Sequence, residues 1–278
     1  MALPMRTIKD WDNAYANTVN IAGGTRWPDA WVEPARQFRE TLQAEGRARL
    51  NLPYGDHARN TLDLFLPEGQ PKGLAVFVHG GYWMALDGSY WSHLAGGPVA
   101  HGYAVAIPTY PLCPEVKISD VTEAVGKAIE MAANLVGGPI HLTGHSAGGH
   151  LVARMVSRTS PLTEAVRARI GNVVPISGVH DLRPLMNTGM KETLHLDDEQ
   201  CRAESPALLE PLAGTRLICW VGAGERGEFI RQNALLANIW TGLGAATAIV
   251  EEADAHHYTV IDGLTDPDHA LTRTLLSA

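Results

Sequence analysis

Five residues near the middle of the chain have types and a spacing that suit nucleophilic catalysis. Residues 144–148 read Gly-His-Ser-Ala-Gly, which fits the pattern G-x-S-x-G. This pattern presents a serine hydroxyl where a strand turns sharply into a helix, and its glycines leave room for neighbouring backbone. An apolar run over 139–142 precedes it and a helical run over 147–156 follows. The context predicts Ser146 as a nucleophile; the alternative is a glycine-rich turn whose serine only caps the helix.

A second glycine pair lies upstream, where it would complete the same chemistry. Residues 79–83 read His-Gly-Gly-Tyr-Trp and follow the clearest strand candidate. Acyl transfer passes through a tetrahedral oxyanion, which backbone N–H groups stabilise when no side chain intrudes. We expect the N–H groups of Gly81, Tyr82 and Ala147 to form this oxyanion hole. The alternative for the glycine pair is an ordinary tight turn between a strand and a helix.

Three parts of the sequence together resemble a known family. HGGYW at 79–83, GHSAGGH at 144–150, and VGAGERGEF at 221–229 with HHY at 256–258 are similar to segments of the α/β-hydrolase fold. Within that fold they most resemble kynurenine formamidase (arylformamidase) and its bacterial esterase relatives, over roughly residues 50–278. The resemblance implies a mostly parallel sheet of about eight strands with helices on both faces and a small helical cap. It also implies hydrolysis of a small aryl-formamide or a short-chain ester.

A serine nucleophile needs a histidine to accept its proton. In the α/β-hydrolase fold the triad follows the chain order serine, acid, histidine, so histidines upstream of Ser146 do not fit. His256 and His257 follow the last strand candidate, where this fold delivers its base. His257 precedes Tyr258, as the family's catalytic histidine precedes an aromatic residue. We therefore expect His257 to be the base, and His256 is the alternative.

The acid that orients this histidine is expected after the penultimate strand, 216–222. The resemblance puts Glu225 in that position, although the family more often has aspartate there; glutamate is an accepted alternative. Asp181, just beyond the strand candidate 172–177, is the rival. We interpret Glu228 as a charge favoured by a helix N-terminus and Asp254 as a turn residue.

The substrate pocket is expected beside the glycine pair. Tyr82 and Trp83 directly follow Gly81, so their rings would form a wall around an acyl or aryl group; the alternative for Trp83 is a place in the core. The expected partner is a small-molecule ester or amide. Two other functions stay open: a general short-chain carboxylesterase or thioesterase, and a non-catalytic scaffold for binding. Such scaffolds usually lack a triad residue, and this sequence has candidates for all three.

Strands and helices that alternate along the chain would position these residues in a mostly parallel sheet. The predicted strands are 48–54, 61–67, 73–80, 103–110, 139–144, 172–177, 216–222 and 247–252, and the predicted helices are 89–101, 119–136, 147–158, 227–242 and 268–277. Two segments lie outside this alternation. Residues 1–46 carry three tryptophans and a helix-like stretch at 33–44, so we expect an N-terminal arm packed on the body. Residues 181–213 read as a helical excursion, and we expect this excursion and the aromatic arm to cover the active site.

Composition narrows the remaining possibilities. The chain has 278 residues, 45% hydrophobic and 19% charged, which suits a single globular α/β domain over 1–278. A net charge of −8 argues against nucleic acid, and no apolar run approaches the ~18 residues of a membrane span. Three cysteines and a start without a signal-peptide pattern indicate a cytoplasmic protein. The sequence has neither the spacing of metal ligands nor a nucleotide-binding motif, so we expect no metal and no cofactor. The sequence does not decide between a monomer and a homodimer.

Overall fold

One eight-stranded sheet forms the centre of the computed structural model, which describes residues 7–277. The strands are β1 (Ala48–Pro53), β2 (Thr61–Phe65), β3 (Leu74–Val78), β4 (Ala104–Thr109), β5 (Ile140–His145), β6 (Ile170–Ile176), β7 (Arg216–Gly222) and β8 (Ala246–Glu252). All eight predicted strands are present, and no end differs from its prediction by more than two residues. The predicted fold class is confirmed.

The order of the strands brings the carboxyl ends of the parallel strands to one edge. The order is β1-β2-β4-β3-β5-β6-β7-β8; β2 is antiparallel to β1 and β4, and the other neighbours are parallel. Because the carboxyl ends of parallel strands share an edge, the loops after β3, β5, β6, β7 and β8 meet there. These loops carry every triad and oxyanion candidate that the sequence predicts.

Helices cover both faces of this sheet. The α-helices are α1 (Trp11–Tyr15), α2 (Asp29–Ala44), α3 (Gly96–Ala100), α4 (Ile118–Leu135), α5 (Ala147–Met155), α6 (Glu164–Arg167), α7 (Met190–Thr193), α8 (Asp198–Glu204), α9 (Gly227–Gly242) and α10 (Ala270–Leu276). Short 3₁₀ helices span Thr18–Asn20, Gly24–Arg26, Gly88–Ala95, Arg183–Asn187, Pro206–Leu208 and Asp262–Thr265. Over residues 7–277, no helix combines the length and the apolar character needed to cross a membrane.

The sheet separates two hydrophobic cores, and β3 contributes to both. Leu74, Val76 and Val78 point to the core under α4, α5 and α9, whereas Ala75 and Phe77 point to the core under α2 and α10. This division follows from the two-residue period of a strand. Since all five residues are buried, β3 reads as a continuous apolar run rather than as an alternating one.

The N-terminal arm packs on the body over its described part, residues 7–46; residues 1–6 lie outside the described residues. Tyr15 in α1 is buried, and its hydroxyl donates to Glu228 Oε1 of α9 at 2.7 Å. Trp31 in α2 is buried in the core on the other face of the sheet. The arm therefore extends from one side of the molecule to the other and passes above the carboxyl edge of the sheet.

The helical excursion over 181–213 is anchored by a buried ion pair. Arg154 of α5 donates through Nε and Nη2 to Glu204 of α8 at 3.1 and 3.2 Å, and both side chains are less than a tenth exposed. Thr122 of α4 donates to the same carboxylate at 2.7 Å. Glu204 thus joins the excursion to the helix that follows Ser146.

We expect Arg154→Met to lower the free energy of unfolding by about 3–5 kcal/mol, because it leaves the Glu204 carboxylate buried without its cation. Arg158→Met is the matched control, since Arg158 pairs with Glu210 on the surface, where both side chains are more than half exposed. It should cost about 0–1 kcal/mol. Urea unfolding followed by circular dichroism measures both. Equal losses in the two variants would contradict the assigned role of the buried pair.

Candidate active site

Ser146 lies at the sharp turn between β5 and α5. Its backbone has φ 56° and ψ −116°, a conformation that L-residues with side chains rarely adopt. The Ser146 N–H donates to Ile176 O at 2.8 Å, which ties the turn to the end of β6. The residue is 4% exposed and lines a cavity. The strand–turn–helix arrangement predicted from G-x-S-x-G is therefore present, with the serine at its apex.

Two glycines allow the backbone to pack closely around Ser146. A Cβ atom on Gly148 would lie 1.9 Å from Val78 O, and one on Gly80 would lie 3.1 Å from the Cβ of Ser146. The first distance is impossible for a side chain, so α5 can approach the end of β3 only with glycine at 148. The second shows that the turn after β3 lies directly against the serine.

His257 follows β8 and is bonded to a carboxylate. Its Nδ1 lies 2.6 Å from Glu225 Oε2, and the two side chains are 4% and 0% exposed. A carboxylate only accepts, so Nδ1 donates this hydrogen bond, and in a neutral imidazole Nε2 is then the acceptor. Glu225, the predicted acid, thus orients the imidazole of His257, the predicted base.

The other oxygen of Glu225 is held by two donors. Ser177 Oγ donates to Oε1 at 2.5 Å, and the N–H of Gly222 donates to the same atom at 2.9 Å. Ser177 is a residue that sequence reasoning missed. Its signal was its position at the end of β6, the strand between the one that leads to Ser146 and the one that leads to Glu225.

The rivals of Glu225 and His257 have other partners. Asp181 accepts from Arg183 Nε and Nη2 at 2.9 and 2.8 Å. His256 Nδ1 accepts from the N–H groups of Tyr258 and Thr259 at 3.2 and 3.3 Å, within its own turn. Neither Asp181 nor His256 lines the cavity that holds Ser146.

Two rings flank the imidazole of His257. The ring centroids of His145 and Phe229 each lie 4.5 Å from that of His257. Burial lowers the pKa of His145 well below its usual range, and the nearby His257 adds to this effect, so His145 is neutral at ordinary pH. Within residues 7–277, no group of three His, Cys, Asp or Glu side chains is arranged to hold a metal ion.

Ser146 and His257 line the same cavity, which has a volume of about 220 Å³. They do not form a hydrogen bond within 3.5 Å in this structure. Catalytic hydrogen bonds of unliganded enzymes are often long and shorten when substrate binds. The structure therefore brings the two residues to one site, with the His257 lone pair as the available acceptor.

The predicted oxyanion donors flank Ser146. Gly81 has φ 106° and Tyr82 has φ 54°, so the chain bends back after β3, and Ala147 is the first residue of α5. None of the three N–H groups donates to an acceptor within residues 7–277. Since the first N–H groups of a helix have no partner inside it, Ala147 is free to donate to a substrate.

Five tryptophan and tyrosine side chains line the cavity. They are Trp27, Trp31, Tyr82, Trp91 and Tyr258. Trp27 and Trp31 come from the N-terminal arm, and their ring centroids lie 4.8 Å apart. No Asp, Glu, Lys or Arg side chain of residues 7–277 lines this cavity. The site thus offers an uncharged aromatic slot beside the serine.

Two expectations for the pocket need correction. Trp83 does not line the cavity: its ring lies in the core, as in the alternative given above, and contacts His150 edge-on at 5.2 Å between centroids. Positive φ at both Tyr82 and Trp83 turns the chain so that only Tyr82 reaches the cavity. No residue of 181–213 lines the cavity either; the excursion packs on α4, α5 and α9, and the arm covers the site instead.

Comparisons with known proteins identify the family of this chain. A crystal structure of a candidate thioesterase from Silicibacter sp. TM1040 is 48% identical, covers 97% of this chain and 99% of its own, and superposes with a TM-score of 0.92. Kynurenine formamidase of Danio rerio is 28% identical over 88% of this chain and 84% of its own. Esterase B of Lactobacillus rhamnosis shares the fold, with a TM-score of 0.66 at 14% identity over 89% of this chain and 92% of its own. The model of the Alpha/beta hydrolase family matches residues 75–274. The chain therefore belongs to the alpha/beta hydrolase family.

Proposed function

We propose that this protein is a serine hydrolase that cleaves a small aryl-formamide or acyl ester through a Ser146–His257–Glu225 triad. The observation that carries the proposal is the 2.6 Å hydrogen bond between buried Glu225 and His257, in a site where His257 and Ser146 share a cavity. A buried carboxylate that pairs with an imidazole fixes the tautomer of the imidazole and stabilises the imidazolium that forms during catalysis.

The reaction proceeds in two halves. Ser146 Oγ bonds to the acyl carbon while its proton passes to His257 Nε2, and the oxyanion accepts from the N–H groups of Gly81, Tyr82 and Ala147. The tetrahedral intermediate then expels the amine or alcohol, which takes the proton from His257. Water repeats the sequence on the acyl-enzyme, releases the acid and regenerates Ser146. A neutral His145 beside His257 adds no positive charge that would oppose the imidazolium.

The cavity favours a substrate with a flat, uncharged aromatic group. Its wall contains five aromatic rings and no ionic side chain from residues 7–277, which suits aryl stacking rather than ion pairing. The relatives named kynurenine formamidase support an aryl-formamide as this substrate. The second candidate is a general short-chain carboxylesterase or thioesterase, which the 48% identical relative described as a candidate thioesterase supports. Turnover of N-formylkynurenine compared with 4-nitrophenyl acetate and butyrate distinguishes the two.

We expect Ser146→Ala and His257→Ala each to lower kcat by several orders of magnitude, because triad members act as a unit. Glu225→Gln should cost about four orders, since it removes the charge that stabilises the imidazolium. Asp181→Asn is the matched control: it makes the same change in a carboxylate that faces Arg183, and it should retain activity within about tenfold. Steady-state kinetics on 4-nitrophenyl acetate measure all four.

A covalent probe tests the nucleophile independently of the substrate. An aryl phosphonate should add one phosphonyl group at Ser146, identified by peptide mass spectrometry, and Ser146→Ala should remain unlabelled. Labelling elsewhere, or an inactive Asp181→Asn beside an active Glu225→Gln, would show that the triad is assigned wrongly.

The aromatic wall generates a prediction about selectivity. Trp27→Ala should lower kcat/KM for 2-naphthyl acetate about 5–20-fold, because one stacking ring is lost, and should change kcat/KM for ethyl acetate by less than about twofold. Trp11→Ala is the control, since Trp11 lies in the same arm but does not line the cavity. It should leave the ratio of the two kcat/KM values unchanged. A parallel loss on both esters in Trp27→Ala would refute the stacking role.

A further inference from the structure

Asn17 is a buried amide in the cavity wall whose orientation is fixed by its neighbours. It belongs to the N-terminal arm and is 2% exposed. Burial raises the pKa of Tyr82 to about 12, so the Tyr82 hydroxyl keeps its proton and donates it to Tyr15 O at 2.7 Å. The Tyr82 oxygen can then only accept from Asn17, and it does so from Nδ2 at 3.3 Å. The amide nitrogen of Asn17 therefore faces Tyr82.

This orientation leaves the Asn17 carbonyl oxygen without a donor. Oδ1 is buried and has no hydrogen-bond partner within residues 7–277. The hydroxyl of the adjacent Thr18 is 2.6 Å from the Tyr258 hydroxyl and so has a partner of its own. A buried acceptor without a donor is unfavourable, and a ligand that supplies the donor removes this cost on binding.

The position of Asn17 relates this oxygen to the reacting carbonyl. Tyr82 extends between them: its backbone N–H belongs to the proposed oxyanion hole, and its hydroxyl contacts Asn17. Asn17 and Ser146 line the same cavity, so a substrate whose acyl group lies at Ser146 shares this cavity with Asn17.

We propose that Asn17 determines specificity by accepting a hydrogen bond from a neutral N–H or O–H group on the aromatic part of the substrate. This inference rests on the proposed function, because it assumes acyl chemistry at Ser146. A neutral donor fits better than an ammonium group, since no carboxylate among residues 7–277 lines the cavity to replace the hydration that a cation would lose.

Matched aryl acetates test the proposal. 4-Aminophenyl and 4-methylphenyl acetate, and their 3-substituted isomers, differ mainly in whether the ring carries an N–H donor. After each kcat/KM is divided by the rate constant for hydroxide hydrolysis, the wild-type protein should prefer one amino isomer over its methyl counterpart about tenfold. Asn17→Leu, similar in size but without an acceptor, should bring this preference to within about twofold of unity.

A control variant distinguishes a specific role of Asn17 from a general effect of changing the arm. Asn20→Leu makes the same change at an exposed amide of the arm that does not line the cavity, and it should keep the wild-type preference for the amino substrate. Absence of preference in the wild-type protein, or a preference that persists in Asn17→Leu, overturns the role of Asn17. If no acetate is hydrolysed in a Ser146-dependent manner, the proposed function fails instead. Absence of the wild-type preference overturns the proposal even where Asn17→Leu does not fold.

Discussion

The hydrogen bond between Glu225 and His257 sets the requirements for the rest of the site. A fully buried carboxylate is unfavourable unless donors surround it. Here three donors converge on it: the imidazole after β8, the hydroxyl of Ser177 after β6 and the N–H of Gly222 at the end of β7. The donors come from three separate strand ends, so the parallel order of β6, β7 and β8 is a condition for the pair to exist. The fold and the chemistry are linked at this carboxylate.

Much of this arrangement could be predicted from the sequence because its signals are local. Buried parallel strands such as β3 are continuous apolar runs and were therefore recognisable, and α9 begins and ends at its predicted residues. The turn at Ser146 needs glycines at 144 and 148 because a Cβ atom at either position would lie too close to Val78 O. Glu225 and His257 were assigned from chain order and resemblance, which depend on the same strand sequence.

The features that escaped prediction depend on contacts between distant parts of the chain. Ser177 has no pattern around it that identifies a carboxylate 48 residues away in sequence as its partner. The direction of the Trp83 ring depends on positive φ at two consecutive non-glycine residues, which sequence does not reveal. Of the two segments expected to cover the cavity, only the arm does so: Trp27 and Trp31 line it and pack on Trp91 and Tyr258 of the body, whereas no residue of 181–213 lines it.

The length of the glutamate side chain at 225 has a geometric reason in this chain. Glu225 N donates to Gly222 O at 3.1 Å, and Gly222 N donates back to Glu225 Oε1 at 2.9 Å, so the side chain folds over its own turn. The extra methylene lets one carboxylate close this turn with Oε1 while Oε2 reaches His257. An aspartate in the same backbone would be too short to serve both partners, and the turn would have to move toward the imidazole. The longer side chain thus makes a shift of the backbone unnecessary. The Ser177 hydroxyl adds a further hydrogen bond to the Glu225 carboxylate.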